Sequence, residues 1–339
     1  MSADFGYINA RVRGLKAKLL GPEFFNDALA ATDYKAFLSS LAQSPYLRDV
    51  EEAQAQHGGL AIVDAALARN FYRTTRSILN FSDGTPHELI SLILLRYDLA
   101  NLKAIGRAKH AGKSLDDVRA ALFPAGRLKP AVLESLAGLA DLPSVAQGLG
   151  PTRHPLAPAF TRAASRYASD GDLYAFELTL DREYFRILLD WIEKLAVDPG
   201  FSRHIEKEID AVNIRTALKL RGTGQAAGEL FISGGREIKR NQFEALLAGD
   251  GAAALQDAVA GTAFAAIGDT ATLSEAEQVI RSLLDKSAYR LALSDPLGIG
   301  VVLNYLRQKE AETARLRLLA RGKFYGVGRE TLGRELGHA

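Results

Sequence analysis

The sequence predicts an all-α fold, and three observations carry that prediction. Apolar residues recur at helical spacing through nearly every segment, alternating strand-type runs are almost absent, and a basic helix end is repeated along the chain. The longest periodic stretches define the elements in order. From His87 to Lys109, Leu89, Ile90, Leu92, Ile93, Leu95, Leu99, Leu102 and Ile105 cover a broad face broken by Arg96, Asp98, Asn101, Lys103 and Arg107, which predicts a helix buried on most sides. From Leu173 to Leu195, Phe176, Leu180, Tyr184, Leu188 and Ile192 describe a second such helix, which holds the single tryptophan, Trp191. A third is expected from the start signal Asp295-Pro296 through Val301, Tyr305, Leu306, Leu316 and Leu319 to a stop at Gly322. Pro and Gly clusters at Gly21-Pro22, 83–86, 124–126, 148–158, 222–224, Gly234-Gly235 and 295–300 divide the rest into short helices joined by compact turns. The one strand candidate, Leu230 to Ser233, is short and closed by Gly234 and Gly235.

Composition narrows the function classes. A chain of 339 residues with 47% hydrophobic content has room for two or three domains with real cores. Its 42 basic and 40 acidic side chains leave a formal charge of +2, which argues against a protein that seeks polyanions. The absence of cysteine excludes disulfides, thiolate metal sites and thiol nucleophiles, and it fits a reducing compartment. Arg11, Arg13, Lys16 and Lys18 interrupt the N-terminal stretch too early for a signal peptide. No uncharged run approaches the roughly 20 apolar residues that span a bilayer. A cytoplasmic protein is therefore expected, with any membrane relation mediated by a partner.

Local motifs offer little catalysis. Gly106 to Ser114 imitates a phosphate-binding loop, but its glycines are five residues apart instead of four and it follows a helix, not a strand. It reads better as a helix end with Gly112 as the stop. Gly298-Ile299-Gly300 lacks the third glycine of a dinucleotide fingerprint and reads as a tight turn into a helix. The six histidines have no chelating spacing on one helix face, and most are expected at the surface or in turns. Asp116-Asp117, Glu51-Glu52 and Asp181 with Glu183 suit solvated faces and helix N-termini. No cofactor or metal is expected.

The repeat carries more information. Asp98-x-x-Asn101-Leu102-Lys103-x-x-x-Arg107 matches Asp210-x-x-Asn213-Ile214-Arg215-x-x-x-Lys219 at a spacing of 112 (210 − 98), and Glu312-x-x-Arg315-Leu316-Arg317-x-x-x-Arg321 follows 102 later (312 − 210). Arg11-Val12-Arg13 is a partial fourth copy. Gly126-Arg127 and Gly235-Arg236 follow the first two full copies, and Gly21-Pro22 follows the partial one. Three helical subdomains are expected, 1–115, 116–225 and 226–339, with the terminal helices exchangeable between them. Basic residues in a last helical turn are favourable without any partner. The functional reading is that Arg11, Arg13, Lys103, Arg215, Arg315 and Arg317 are candidate partner-binding residues.

The segments Phe5-Gly6-Tyr7-Ile8-Asn9-Ala10-Arg11-Val12-Arg13, Leu95 to Lys103, Asp210 to Arg215 and Asp295 to Gly300 with its arginine-rich helix resemble the C subunit of the prokaryotic V-type (A-type) ATP synthases, whose family includes the d subunit of the eukaryotic vacuolar enzyme. The resemblance covers essentially the whole chain in order. It departs at Glu312 and Arg315 and in the tail after Gly326. It implies a funnel of three similar helical subdomains around a pseudo-threefold axis, serving as a non-catalytic rotor part. The partners it implies are the central shaft, subunits D and F, and the proteolipid ring of the membrane rotor, on whose cytoplasmic face the protein would sit. The isolated chain is expected to be a monomer. A helical nucleic-acid-binding module using the same basic helix ends would show steeply salt-dependent association, but the near-zero charge and the lack of a stacking pattern of aromatics count against it. An all-α enzyme would need converging acid, base or metal ligands that the linear sequence does not display.

Overall fold

The computed structural model describes residues 4–195, 197–223, 227–249 and 252–338. Gly224 and the expected boundary at residue 225 lie outside the described residues. Among those described there is no strand, and eighteen α-helices follow one another. They are α1 (Gly6–Lys16), α2 (Pro22–Ala30), α3 (Tyr34–Ala42), α4 (Leu47–Gln54), α5 (Leu60–Asn80), α6 (Gly84–His110), α7 (Leu115–Ala121), α8 (Pro130–Gly138), α9 (Leu142–Leu149), α10 (Ala157–Asp170), α11 (Leu173–Lys194), α12 (Pro199–Leu220), α13 (Ala227–Leu230), α14 (Arg240–Ala248), α15 (Ala252–Val259), α16 (Leu273–Ser294), α17 (Gly300–Phe324) and α18 (Arg329–His338). Two compact units are present, one formed by Met1–Tyr184 with Tyr305–Ala339 and the other by Phe185–Asn304.

The expected long helices are α6 and α11, and α6 is buried over most of its circumference, as its apolar face requires. The phosphate-loop imitation resolves into a helix boundary. Gly112 takes a positive φ of 60° after α6, and Ser114 then caps α7, its hydroxyl accepting from the Asp117 amide. Gly106 sits inside α6 because a Cβ there would lie 2.6 Å from the Phe176 ring.

The closing helix departs from its sequence-predicted bounds at both ends. It begins at Gly300, since the Asp295 carboxylate accepts from the Leu297 amide and so forms a turn of its own before the helix. It runs past Gly322, whose missing Cβ admits the Leu332 side chain, and stops before Gly326, where φ is 70° and the Val327 amide donates back to the Gly322 carbonyl at 2.8 Å. The strand candidate at Leu230 to Ser233 is the end of α13 and a loop, because its backbone is taken by a side chain of α12.

Three short helices have the same length and spacing. Each of α2, α8 and α14 has nine residues, and they start 108 (130 − 22) and 110 (240 − 130) residues apart. The core around the first of them is made from both ends of the chain. Ala28, Phe37, Leu41, Val50 and Leu67 are buried in one cluster with Leu316, Leu319 and Ala320 of α17. Burying each of those leucines contributes about 1.5–3 kcal/mol.

Candidate functional site

The polar positions that interrupt the apolar helices are where the repeat acts. In α6, Asp98 is wholly buried, and its carboxylate accepts the amides of Arg127 at 2.7 Å and Leu128 at 3.1 Å, just before α8. Asn101, one turn on, donates to the Phe123 carbonyl at 2.8 Å and accepts from the Phe123 amide at 2.7 Å. In α12, Asp210 accepts from Arg236, Glu237 and Ile238 at 2.9–3.1 Å, and Asn213 exchanges the same pair of bonds with Ile232. Each Asp and Asn thus clasps a returning loop, satisfying backbone donors that would otherwise be buried without partners. Gly126 and Gly235 exist for this closure. A Cβ would lie 2.2 Å from the Asp98 carboxylate oxygen in the first case and 2.0 Å from that of Asp210 in the second. Burial pushes the Asp210 carboxyl above its ordinary range, and the three backbone donors oppose that rise.

A third clasp closes on α17. Glu312 accepts from the Leu20 amide at 2.5 Å and from the Tyr46 hydroxyl at 2.6 Å. The Lys309 ammonium bonds both Tyr46 and Glu312 at 2.7 Å. Burial lowers the Lys309 ammonium and raises the Tyr46 hydroxyl well above its ordinary value.

The three clasps share the register of their short helices and of the turns that follow them. Leu20, Leu128 and Ile238 each lie two residues before a nine-residue helix. Ser44, Thr152 and Thr262 each donate to the carbonyl three residues back at 2.6 Å, and each accepts from the amide two residues on. The residues two positions on are Tyr46, His154 and Phe264, all buried. Tyr46 reaches Glu312, and His154 Nε2 donates to Asp98 at 3.1 Å, its Nδ1 accepting from the Leu156 amide. Phe264 cannot donate, and Asp210 takes a third backbone amide instead.

Three of the six predicted basic residues, Lys103, Arg215 and Arg317, fall into the same scheme. Lys103 and Arg107 share Glu177 at 3.3 and 2.5 Å, Arg215 and Lys219 share Glu277 at 2.6 and 3.5 Å, and Arg317 and Arg321 share Asp64 at 3.2 and 3.5 Å. Each acid is the fifth residue of a long helix, α11, α16 or α5. Lys103 also bonds Asp181 at 2.7 Å, and burial lowers the Arg317 guanidinium, which lies 4.9 Å from the Phe123 ring centroid. Arg315 lies 5.7 Å from the Phe25 ring. Arg11 and Arg13 are on the exposed side of α1, Arg11 over the Phe81 ring at 4.3 Å. The acids, Leu20 and the Tyr46, His154 and Phe264 positions escaped the sequence reading. The signal that finds the last three is Ser44-Pro-Tyr46, Thr152-Arg-His154 and Thr262-Ala-Phe264, recurring at the same 108 and 110 spacings as the short helices.

Among the described residues no group of three or more His, Cys, Asp or Glu side chains is placed to hold a metal, and no helix is long and apolar enough to cross a membrane. Helices joined by one closure used three times define an all-α repeat protein whose polar side chains serve its own assembly. The model of the family described as ATP synthase (C/AC39) subunit matches residues 8–335, and the chain belongs to that family, the C subunits of the V-type and A-type rotary ATP synthases. The V-type ATP synthase C subunit of Deinococcus radiodurans is 35% identical over 336 residues, covering 99% of this chain and 92% of its own length. Its Thermus thermophilus counterpart is 34% identical, covering 99% of each chain. The A-type ATP synthase C subunit of Methanococcoides burtonii is 28% identical, covering 99% of this chain and 94% of its own.

Proposed function

We propose that this chain is the central-stalk rotor subunit of a V/A-type ATP synthase, a non-catalytic socket that receives the shaft of subunits D and F and couples its rotation to the proteolipid ring. In this reading three similar helical subdomains surround a pseudo-threefold axis as a funnel, and the protein is held at the cytoplasmic face of the membrane through the ring. The observation that carries it is the triple recurrence of one clasp and one dibasic bridge in a chain of this family. A part that transmits torque has to be stiff, and close-packed helices whose loops are pinned by buried carboxylates yield little to strain. The six candidate contacts divide by their surroundings. Lys103, Arg215 and Arg317 face internal carboxylates, so the shaft contact is proposed first at the exposed Arg11 and Arg13, with Arg315 as a further candidate. Charge at such positions sets orientation and partner choice more than affinity. The internal neutralisation of the repeated basic pairs removes the reason for a nucleic-acid role.

Purification of the native complex tests the function: this chain travels with the ATPase subunits and the proteolipid ring, and its absence from them overturns the proposal. Replacing Arg11 and Arg13 by Glu tests the contact. Weakened retention of D and F at unchanged helical content is the expected result, and unaltered retention removes these residues from the interface.

A further inference from the structure

The three clasps share geometry and differ in connectivity. Asp98 lies 30 residues before Leu128 (128 − 98), and Asp210 lies 28 before Ile238 (238 − 210). Glu312 instead follows Leu20 by 292 residues. The dibasic bridge repeats the pattern, since Arg317 and Arg321 reach Asp64 from the far end of the chain, while Lys103 and Arg215 reach acids that follow them. A further contact ties the two chain ends together: the Lys323 ammonium bonds the carbonyls of Leu29 and Ala31, the last turn and C-cap of α2, at 2.8 and 2.6 Å.

From these coincidences of register we infer that residues 305–324 of α17 are the displaced opening helix of the copy built by residues 20–80, and that the Glu312 clasp is a latch able to open this copy while the other two remain shut. The inference is independent of the proposed rotor role. In the second and third copies the clasping helix and the clasped loop are joined by about thirty residues of chain, so a local opening leaves the partners at high effective concentration. In the first copy no such tether exists. The helix is held by Leu316, Leu319 and Ala320 in the core, by the Asp64 and Lys323 contacts, and by the buried Tyr46, Lys309 and Glu312 group. That group fits latch behaviour. Lys309 and Glu312 meet at 2.7 Å inside the fold, so separation leaves both to find water, which favours two states over a gradual loosening.

Amide hydrogen exchange on the full chain tests the latch. In Glu312→Gln, Lys309 faces a neutral amide in a buried setting. Exchange is expected to quicken roughly tenfold or more, the effect of losing one charge-assisted bond, together in residues 20–80 and 305–324, with 123–170 and 230–249 unchanged. Acceleration spread equally over all three copies, or confined to the immediate neighbours of residue 312, overturns the inference. Should Glu312→Gln fail to fold, Lys323→Met serves, because Lys323 touches the first copy from its edge. Joint acceleration of 20–80 and 305–324 supports the latch, and acceleration limited to residues 27–33 overturns it.

Discussion

Substituting Gly235 by Ala puts the clasp to its most direct test. The new Cβ would stand 2.0 Å from Asp210 Oδ1 and 2.9 Å from its Cγ, so the carboxylate has to retreat by more than about 1 Å to reach ordinary contact. It holds the amides of Arg236, Glu237 and Ile238 at 2.9–3.1 Å, and a shift of that size carries at least two of the three beyond hydrogen-bond range. Bonds to a charged group contribute about 1.5–3 kcal/mol each, so losing two costs about 3–6 kcal/mol, offset by about 0.4–1 kcal/mol from the stiffer unfolded chain. Urea unfolding followed by circular dichroism measures the change, and limited proteolysis locates it within 185–304. Gly14→Ala is the control, since nothing lies within 4 Å of its Cβ position in α1 and a gain of about 0.4–1 kcal/mol is expected. A Gly235→Ala protein within about 1 kcal/mol of the parent would refute the claim that the clasp needs a glycine.

Two pH experiments follow from buried groups. Burial raises the Asp181 carboxyl and Lys103 opposes that rise, so Lys103→Met should destabilise by about 3 kcal/mol at neutral pH. A raised folded value means the folded state holds this proton more tightly, so the deficit shrinks as pH falls through that value; denaturant midpoints across mildly acidic pH check it, and a constant deficit counts against it. At alkaline pH, Tyr46, Tyr97 and Tyr305 keep protons that the unfolded chain releases above about pH 10, so stability should fall there by about 1.4 kcal/mol per pH unit for each, partly offset by Lys309 until about pH 10.4. Tyrosinate absorbance should then rise cooperatively with loss of helix; gradual ionisation with helix intact would contradict it.

The all-α class, the long helices and the repeat were legible because apolar periodicity and recurring sequence spacing are local signals. Asp98 and Asn101 stood out as polar interruptions of a buried helix, but their partners did not. Backbone amides of Arg127 or Ile238 carry no sequence label, and any residue supplies one. Glu177, Glu277 and Asp64 were hidden for another reason: acids at the start of a helix are common for dipole reasons alone. Arg215 and Arg317 were visible as basic, yet the sequence could not tell a side chain committed to an internal carboxylate from one offered to a partner.

The divergence of the last copy has a physical origin in this connectivity. Asn101 and Asn213 clamp the backbone five and six residues before Leu128 and Ile238, at Phe123 and Ile232, where the chain is a loop whose amide is not held in a helix. The corresponding positions before Leu20 are Leu15 and Gly14, which belong to α1, and the Leu15 carbonyl is already taken by the Lys18 amide at 3.0 Å. An asparagine at position 315 would face backbone that helix α1 has already satisfied, so nothing there favours it over the arginine found beside Phe25. The exchange of Asp for Glu follows the same logic. Asp98 and Asp210 are met by two or three amides of a loop that folds back over them, with His154 sharing one Asp98 oxygen with the Arg127 amide, whereas Glu312 receives a single amide and gives its other oxygen to Tyr46 and Lys309, a division the longer side chain spans. The two departures from the repeat are therefore adaptations of a single closure to a helix that arrives from the other end of the chain.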